Sequence, residues 1–166
     1  ENSFDFNRFK CLNKIGEGPF SDVYIVKDEE TGSFFSAKFF QQRFDEDNQK
    51  ETNKDISHEI KHNTKLRHPL ISKFIGFNSA GFQENPNPVI ITEFITKGSL
   101  NDLINYSSKG SSKIHYTDTR KLFNIYSIAV AMSFLHSHSI IHSHLNPNNI
   151  FIDDKFKPII MIYLMR

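Results

Sequence analysis

Three groups of residues have types and spacings that could do chemistry. The first is Gly16-x-Gly18, followed by Lys38 and Glu59. Two glycines one residue apart let a backbone turn tightly and approach a phosphate closely. Alone, such a pair is more often a plain hairpin. Val23 falls just beyond it, where an apolar side chain could roof a flat base. Lys38 lies between aromatic neighbours on a stretch that reads as a third strand, and a lysine there needs a reason to point inward. Glu59, on the next expected helix, could hold that ammonium as an ion pair. Taken singly, Lys38 reads as a surface lysine on an edge strand and Glu59 as a solvated helix face. Their order along the chain gives them weight. The second group is His58-Glu59-Ile60-Lys61-His62. Two histidines four apart share a helix face and can bind zinc, with the glutamate as general base, the arrangement of a zinc metallopeptidase. His68 stands where a third ligand would lie, but Lys65 replaces the glycine that lets such a chain leave its helix. With eight histidines in the chain, coincidence is easy. The third group, His136, His138, His142 and His144, surrounds the end of a long expected helix. It reads as a histidine-rich loop, with a metal site as the alternative.

These residues need elements to hold them. Leu12–Ile15, Val23–Val26 and Phe34–Phe40 read as strands separated by Gly- and Thr-containing turns. Residues 55–67 read as a helix closed by Pro69. Residues 70–77 and 89–94 are strand-like. Beyond Lys97-Gly98 the pattern changes: Ser99 caps a short helix, 107–113 is a polar connection, and 118–138 is a long helix. Leu122, Ile125, Tyr126, Ala129, Met132, Phe134 and Leu135 give that helix an apolar stripe. A strand at 150–152, a turn at Asp153-Asp154 and an apolar run from Pro158 complete the pass. The fold class expected is α+β: a strand-rich front lobe and a helical back lobe.

Composition excludes several function classes. The 166 residues carry 20 Lys+Arg against 19 Asp+Glu, a net charge of +1. No global field favours nucleic acid or a membrane surface. Cys11 is the one cysteine, so no internal disulfide forms. That and the polar first ten residues point to a cytoplasmic location. No apolar run reaches a spanning length.

Ile15-Gly16-Glu17-Gly18-Pro19-Phe20-Ser21-Asp22-Val23-Tyr24 resembles the protein-kinase glycine-rich loop, with Ser21 in place of the third glycine. Phe35-Ser36-Ala37-Lys38 is similar to the strand that carries the kinase lysine, with Ser36 in its alanine position. Glu59-Ile60 through Leu66-Arg67-His68-Pro69 resembles the kinase C-helix and its exit. Residues 91–100 are similar to the hinge that receives adenine. The resemblance runs from Phe9 to the last residue, and the Leu-Arg-His-Pro and Gly98-Ser99-Leu100 runs are similar to the tyrosine-kinase-like group of Ser/Thr kinases. It implies a two-lobed fold, with a small lobe at 9–94, a hinge at 95–98 and a partial large lobe at 99–166. It also implies an ATP site built from Ile15, Gly16, Gly18, Val23, Ser36, Lys38, Glu59, Thr92, Glu93 and Ile95. Thr92 would guard the back of the pocket.

The same resemblance exposes departures. Ile141 to Ile150 lies where the kinase catalytic loop falls, and the family has His-Arg-Asp, then lysine, then asparagine there. Ser143 replaces the arginine, His144 the aspartate that takes the substrate proton, and Asn146 the lysine. Asn149 keeps its type and could ligate magnesium weakly. Counting on without a gap, the magnesium-binding Asp-Phe-Gly falls on Ile162-Tyr163-Leu164, and isoleucine offers no oxygen to a hard cation. Asn63, one turn after Glu59, puts a polar group where the family has an apolar one. The expectation is a pseudokinase, a nucleotide- and protein-binding module with negligible phosphoryl transfer, ATP as a weak ligand and magnesium weaker still. An atypical active Ser/Thr kinase is the alternative, a gene remnant and a zinc metallopeptidase the more distant ones. The sequence ends just past the Asp-Phe-Gly position, so the activation segment and later helices are expected to be missing. Their absence leaves large-lobe surface open to a protein partner.

Overall fold

The computed structural model describes residues 6–18, 21–41, 54, 56–57, 60–61, 63–83, 85–108 and 116–162. The chain divides into two compact units. One comprises the described residues up to Thr64 together with Lys73–Phe94, and the other Lys65–Ser72 together with the residues from Ile95 onward.

The first unit is a five-stranded antiparallel sheet: β1 (Phe9–Glu17), β2 (Ser21–Asp28), β3 (Phe34–Phe40), β4 (Phe74–Asn78) and β5 (Val89–Glu93), in the order β1-β2-β3-β5-β4. β-branched and aromatic residues dominate the inner strands, as a pleated surface favours. Side chains alternate across the sheet. One face buries Val26, Ala37, Phe39, Val89 and Ile91 with Phe9 and Phe82. Phe39 meets Phe82 at 5.2 Å and Tyr24 edge-on at 5.6 Å, and Phe9 meets Phe35 edge-on at 5.5 Å. Edge-to-face rings add to the burial.

Two devices finish the sheet. At the β2–β3 turn, the fully buried Asp28 accepts from Thr31 Oγ1 (2.8 Å), from the Glu30 N–H (3.0 Å) and from Arg8. Burial alone would raise its carboxyl pKa. The bonds from Thr31 and Arg8 outweigh burial and hold it below the ordinary 3.8. At the outer strand β1, the side chain of Gln83 acts as a piece of extra strand. Its Nε2 donates to Phe9 O (2.9 Å) and its Oε1 accepts from the Cys11 N–H (3.2 Å). That satisfies two edge groups that would otherwise face water. Gln83 sits in the left-handed region at φ 55° to do so. Nearby Gly81 (φ 65°) passes so close to the chain that a Cβ there would lie 2.1 Å from Asn85 O.

The expected helix 55–67 is shorter. Its described helical residues end at Asn63, and Thr64 bends its Oγ1 back to Ile60 O (2.9 Å) and Lys61 O (3.2 Å). Such local bonding competes with helix continuation. Leu66, Leu70 and Ile71 beyond it belong to the core of the second unit.

That unit contains α1 (Leu100–Ser108), α2 (Asp118–Ser137) and a hairpin of β6 (Ile150–Ile152) and β7 (Pro158–Ile160). Ser99 caps α1: its Oγ accepts from the Asp102 N–H (3.1 Å), and Asp102 Oδ2 accepts from the Ser99 N–H (2.9 Å). Thr117 caps α2, accepting from the Arg120 N–H (3.3 Å). The core gathers Leu100, Leu103, Ala131, Leu135, Ile150, Ile160 and Ile162.

The phase of α2 differs from the expected stripe. Asn124, Ser127, Ala131 and Leu135 are buried, and Leu122 (68% exposed), Ile125 and Tyr126 are open to solvent. Apolar residues occur around the whole helix, so their period selects no face. Neighbours select it instead, at Leu135 by the core and at Asn124 by the Tyr116 hydroxyl (3.0 Å). No described helix is long and apolar enough to cross a membrane.

Replacing Gln83 by alanine removes two hydrogen bonds and leaves the β1 edge open. The expected loss is about 1–2 kcal/mol in urea unfolding. An unchanged midpoint would show that water serves the edge equally well.

Candidate functional site

The register of the sheet brings the first-unit residues together. Gly16 pairs with Val23, Val23 with Lys38, and Lys38 with Ile90, forming one row across four strands. The next row on the same face is Ile25–Ser36–Thr92–Phe74. Directly paired side chains share a face and lie within reach of each other. Gly16, Val23, Ser36, Lys38 and Thr92 therefore stand on one surface, opposite the aromatic core. Lys38 is 7% and Ser36 8% exposed. The Lys38 ammonium lies 4.8 Å from the centroid of the Phe40 ring.

The remaining nucleotide candidates divide. The Gly18 N–H donates to Ser21 O (2.9 Å), closing the loop that leaves β1. Ile15 is on β1, with its side chain exposed. Glu93 is tied locally: its N–H donates to Lys73 O (3.0 Å) and its carboxylate accepts from the Lys73 N–H (2.8 Å). Ile95 is half-buried just beyond β5. Glu59 lies outside the described residues, as do His58 and His62 of the zinc pattern. Asn63, the polar departure in the helix, is buried.

In the second unit, the loop after α2 is held by two groups. His142 is 1% exposed, its Nε2–H donates to Met161 O (2.8 Å), and its Nδ1 accepts from the His144 N–H (3.4 Å). The Asn149 Nδ2 donates to His144 O (2.8 Å), and Asn149 O accepts from the Met161 N–H (3.0 Å). Ser143 takes the bend at φ 61° with its side chain exposed. His144 is exposed. Asn146 turns its side chain onto the loop itself, accepting from the Asn148 N–H (2.8 Å) and donating to His144 O (3.2 Å). Ile162 is 4% exposed and part of the apolar core.

No group of three or more His, Cys, Asp and Glu side chains gathers to hold a metal among the described residues. His68 stacks on Phe134 at 4.6 Å, with its Nδ1 accepting from the Leu70 N–H (3.2 Å). His138 Nδ1 donates to Phe134 O (2.9 Å). Within the histidine-rich stretch, His138 packs on Phe134 and His142 closes the loop. Two features of the site have no counterpart among the expected site residues: the buried bond of His142 to Met161, and Phe40. The second had a signal, since a residue two beyond Lys38 on a strand shares its face.

Residues 9–163 match the family model described as protein kinase domain. The chain is 26% identical over 152 residues to the Aurora kinase of Saccharomyces cerevisiae, covering 90% of this chain and 38% of that one. It is 27% identical over 150 residues to the putative serine/threonine-protein kinase B of Trypanosoma brucei brucei, covering 87% and 32%. To the serine/threonine-protein kinase CTR1 of Arabidopsis thaliana it is 30% identical over 145 residues, covering 86% and 16%. The chain spans little more than a third, or less, of the length of these relatives.

The buried histidine should make the second unit acid-sensitive. Burial pushes the His142 imidazole below its ordinary 6.5. The bond to Met161 opposes this and is outweighed, and nearby His144 adds to the depression. Burial lowers His68 from the same value. A group with a depressed folded pKa takes up its proton more readily in the unfolded chain, so stability is complete above pH 6.5 and falls as pH drops below it. For His142 the slope reaches at most about 1.4 kcal/mol per pH unit. Urea midpoints should hold steady from pH 8 to 7 and fall from 6.5 to 5. His142→Gln keeps a donor for Met161 and cannot charge. It should be weaker at pH 7.5 and show a smaller acid drop, and an equal drop in both proteins would contradict the assignment.

Proposed function

This chain belongs to the protein kinase family, and on that premise we propose that it is a nucleotide-binding, kinase-like module that does not catalyse phosphoryl transfer. One observation carries the second half of the proposal: Ile162, at the position of the family's metal-binding aspartate, is 4% exposed and packed among Leu135, Ile150 and Ile160. Kinase chemistry depends on metal ions that bridge the phosphates and neutralise developing charge, and on an aspartate that orients the hydroxyl. Here the donor set for a hard cation is reduced to the single Oδ1 of Asn149. The residues do not fit a magnesium–nucleotide complex.

They fit a nucleotide better. The support is the row of Gly16, Val23 and Lys38 beside Ser36 and Thr92 on one face of the sheet. In this reading Val23 and Ser36 meet the base, the backbone of Glu93 and Ile95 hydrogen-bonds its edge, Lys38 meets the phosphates, and Glu59 orients Lys38. Gly16 and Gly18 let the loop approach the phosphates.

An active, atypical Ser/Thr kinase is the competing reading. It is favoured by Asn149 holding the loop at His144 O (2.8 Å), with His144 exposed in the base position. Histidine is a frequent general base. It cannot supply the missing metal ligand, and loss of a positioned base alone costs about 10²–10⁴ in rate. The Gly98-Ser99-Leu100 run supports a tyrosine-kinase-like type, although it has a local role too: Gly98 takes φ 79° and Ser99 caps α1. A cytoplasmic setting accords with the lone Cys11, and the exposed Leu122, Phe123, Ile125 and Tyr126 of α2 support a protein partner with an apolar surface.

Millimolar ATP should raise the melting temperature, because a ligand at 100 times its Kd adds about 2.7 kcal/mol of stability. Lys38→Ala should abolish the shift. Folded wild type with no shift would remove the nucleotide reading. Radiolabel from ATP should not enter generic substrates or the protein itself. Incorporation that disappears in Lys38→Ala would establish catalysis and overturn the proposal, whereas incorporation that persists belongs to a contaminant.

A further inference from the structure

Lys38 stands between two phenylalanines, and the sheet sends them in opposite directions. Phe39 enters the aromatic core with Phe82 and Tyr24. Phe40, two residues beyond Lys38, shares its face. Phe40 is 1% exposed, its N–H donates to Pro88 O (2.8 Å), and its ring centroid is 4.8 Å from the Lys38 Nζ. The ring is therefore fixed and the ammonium rests on it. Phe40 pairs with Ser21, the first residue of β2 after the glycine-rich loop, while Lys38 pairs with Val23. The ring thus draws the ammonium along the sheet toward the loop end.

From this geometry we infer that Phe40 is a positioning residue for Lys38, holding its ammonium at the glycine-loop end of the sheet for the phosphates of a nucleotide. The inference rests on the nucleotide reading above and assigns a role to a residue that reading does not use. An aromatic face attracts a cation without cancelling its charge. A free lysine side chain loses rotamer freedom when it is immobilised on a ligand, and a pre-ordered one loses less. The effect of Phe40 should thus appear in the part of the affinity that depends on phosphate, and not in the part that depends on the base.

The test compares ATP and adenosine, by calorimetry without added metal, in the wild type, Phe40→Leu and Phe40→Tyr. Phe40→Leu keeps an apolar side chain and removes the ring. It should weaken ATP about two- to tenfold, the scale of one immobilised side chain, and leave adenosine unchanged. Phe40→Tyr keeps the ring and should retain wild-type ATP affinity. If Phe40→Leu weakens both compounds equally, the residue is only structural and the inference is overturned while the nucleotide reading stands. If the wild type binds neither compound, both fall. Nuclear magnetic resonance gives a check that needs no nucleotide. The ring current of Phe40 should shift the Lys38 ε-protons upfield in the wild type and in Phe40→Tyr, and that shift should vanish in Phe40→Leu. Its absence from the wild type would also overturn the inference.

Discussion

Strand β3 is hydrogen-bonded on both sides, to β2 and to β5. A slip of one residue would turn every side chain of the strand to the other face. It would put Phe39 and Ala37 outside the aromatic core and carry Lys38 into it. The apolar burial at Phe39, Ala37 and Val26, all at most 1% exposed, resists that slip. Lys38, Ser36 and Phe40 are placed by the same constraint, although they contribute little to it. The candidate surface of the first unit is the reverse side of its core, and its precision is borrowed from the packing of phenylalanines.

The second unit works on a similar principle with a different outcome. The β6–β7 hairpin pairs Ile150 with Ile160 and Ile152 with Pro158. His142 and Asn149 then clasp Met161 from two sides, one at its carbonyl and one at its N–H. The backbone at Met161 is held by buried, satisfied bonds. The next residue, Ile162, joins the core, and in the proposed reading it takes the place of an acid that binds metal. In that reading the loop architecture and its chemistry are separable: the bonds at Met161 hold the loop whichever groups His144, Asn146 and Ile162 present.

Much of this is legible in the sequence, for physical reasons. Strand alternation around Lys38 and the spacing from Gly16 to Val23 fix a common face once the strands pair, and the spacing from Asn149 to Ile162 accords with a hairpin without a bulge. The cap at Ser99 announces a helix start through side-chain chemistry that acts within one turn. The phase of α2 is not legible. Leu122, Ile125 and Tyr126 are as apolar as Ala131 and Leu135, and only contacts distant in sequence choose between them. The end of the helix at Asn63 escapes the pattern because Pro69 is a strong local stop, whereas the last turn closes at Thr64, whose N–H and Oγ1 both bond to Ile60 O. Gln83 at the β1 edge lies 74 residues from its partner Phe9, and no local pattern reports such a bond.

The buried isoleucine should have removed the metal from the nucleotide's environment. ATP affinity measured with millimolar magnesium, and again with chelator in its place, addresses that directly. Asn149 alone holds an ion poorly, so the two affinities should agree within about threefold, or about 0.65 kcal/mol. A gain of tenfold or more with magnesium, about 1.4 kcal/mol, would mean that this chain provides metal ligands other than the position occupied by Ile162, and would contradict the loss of the metal site.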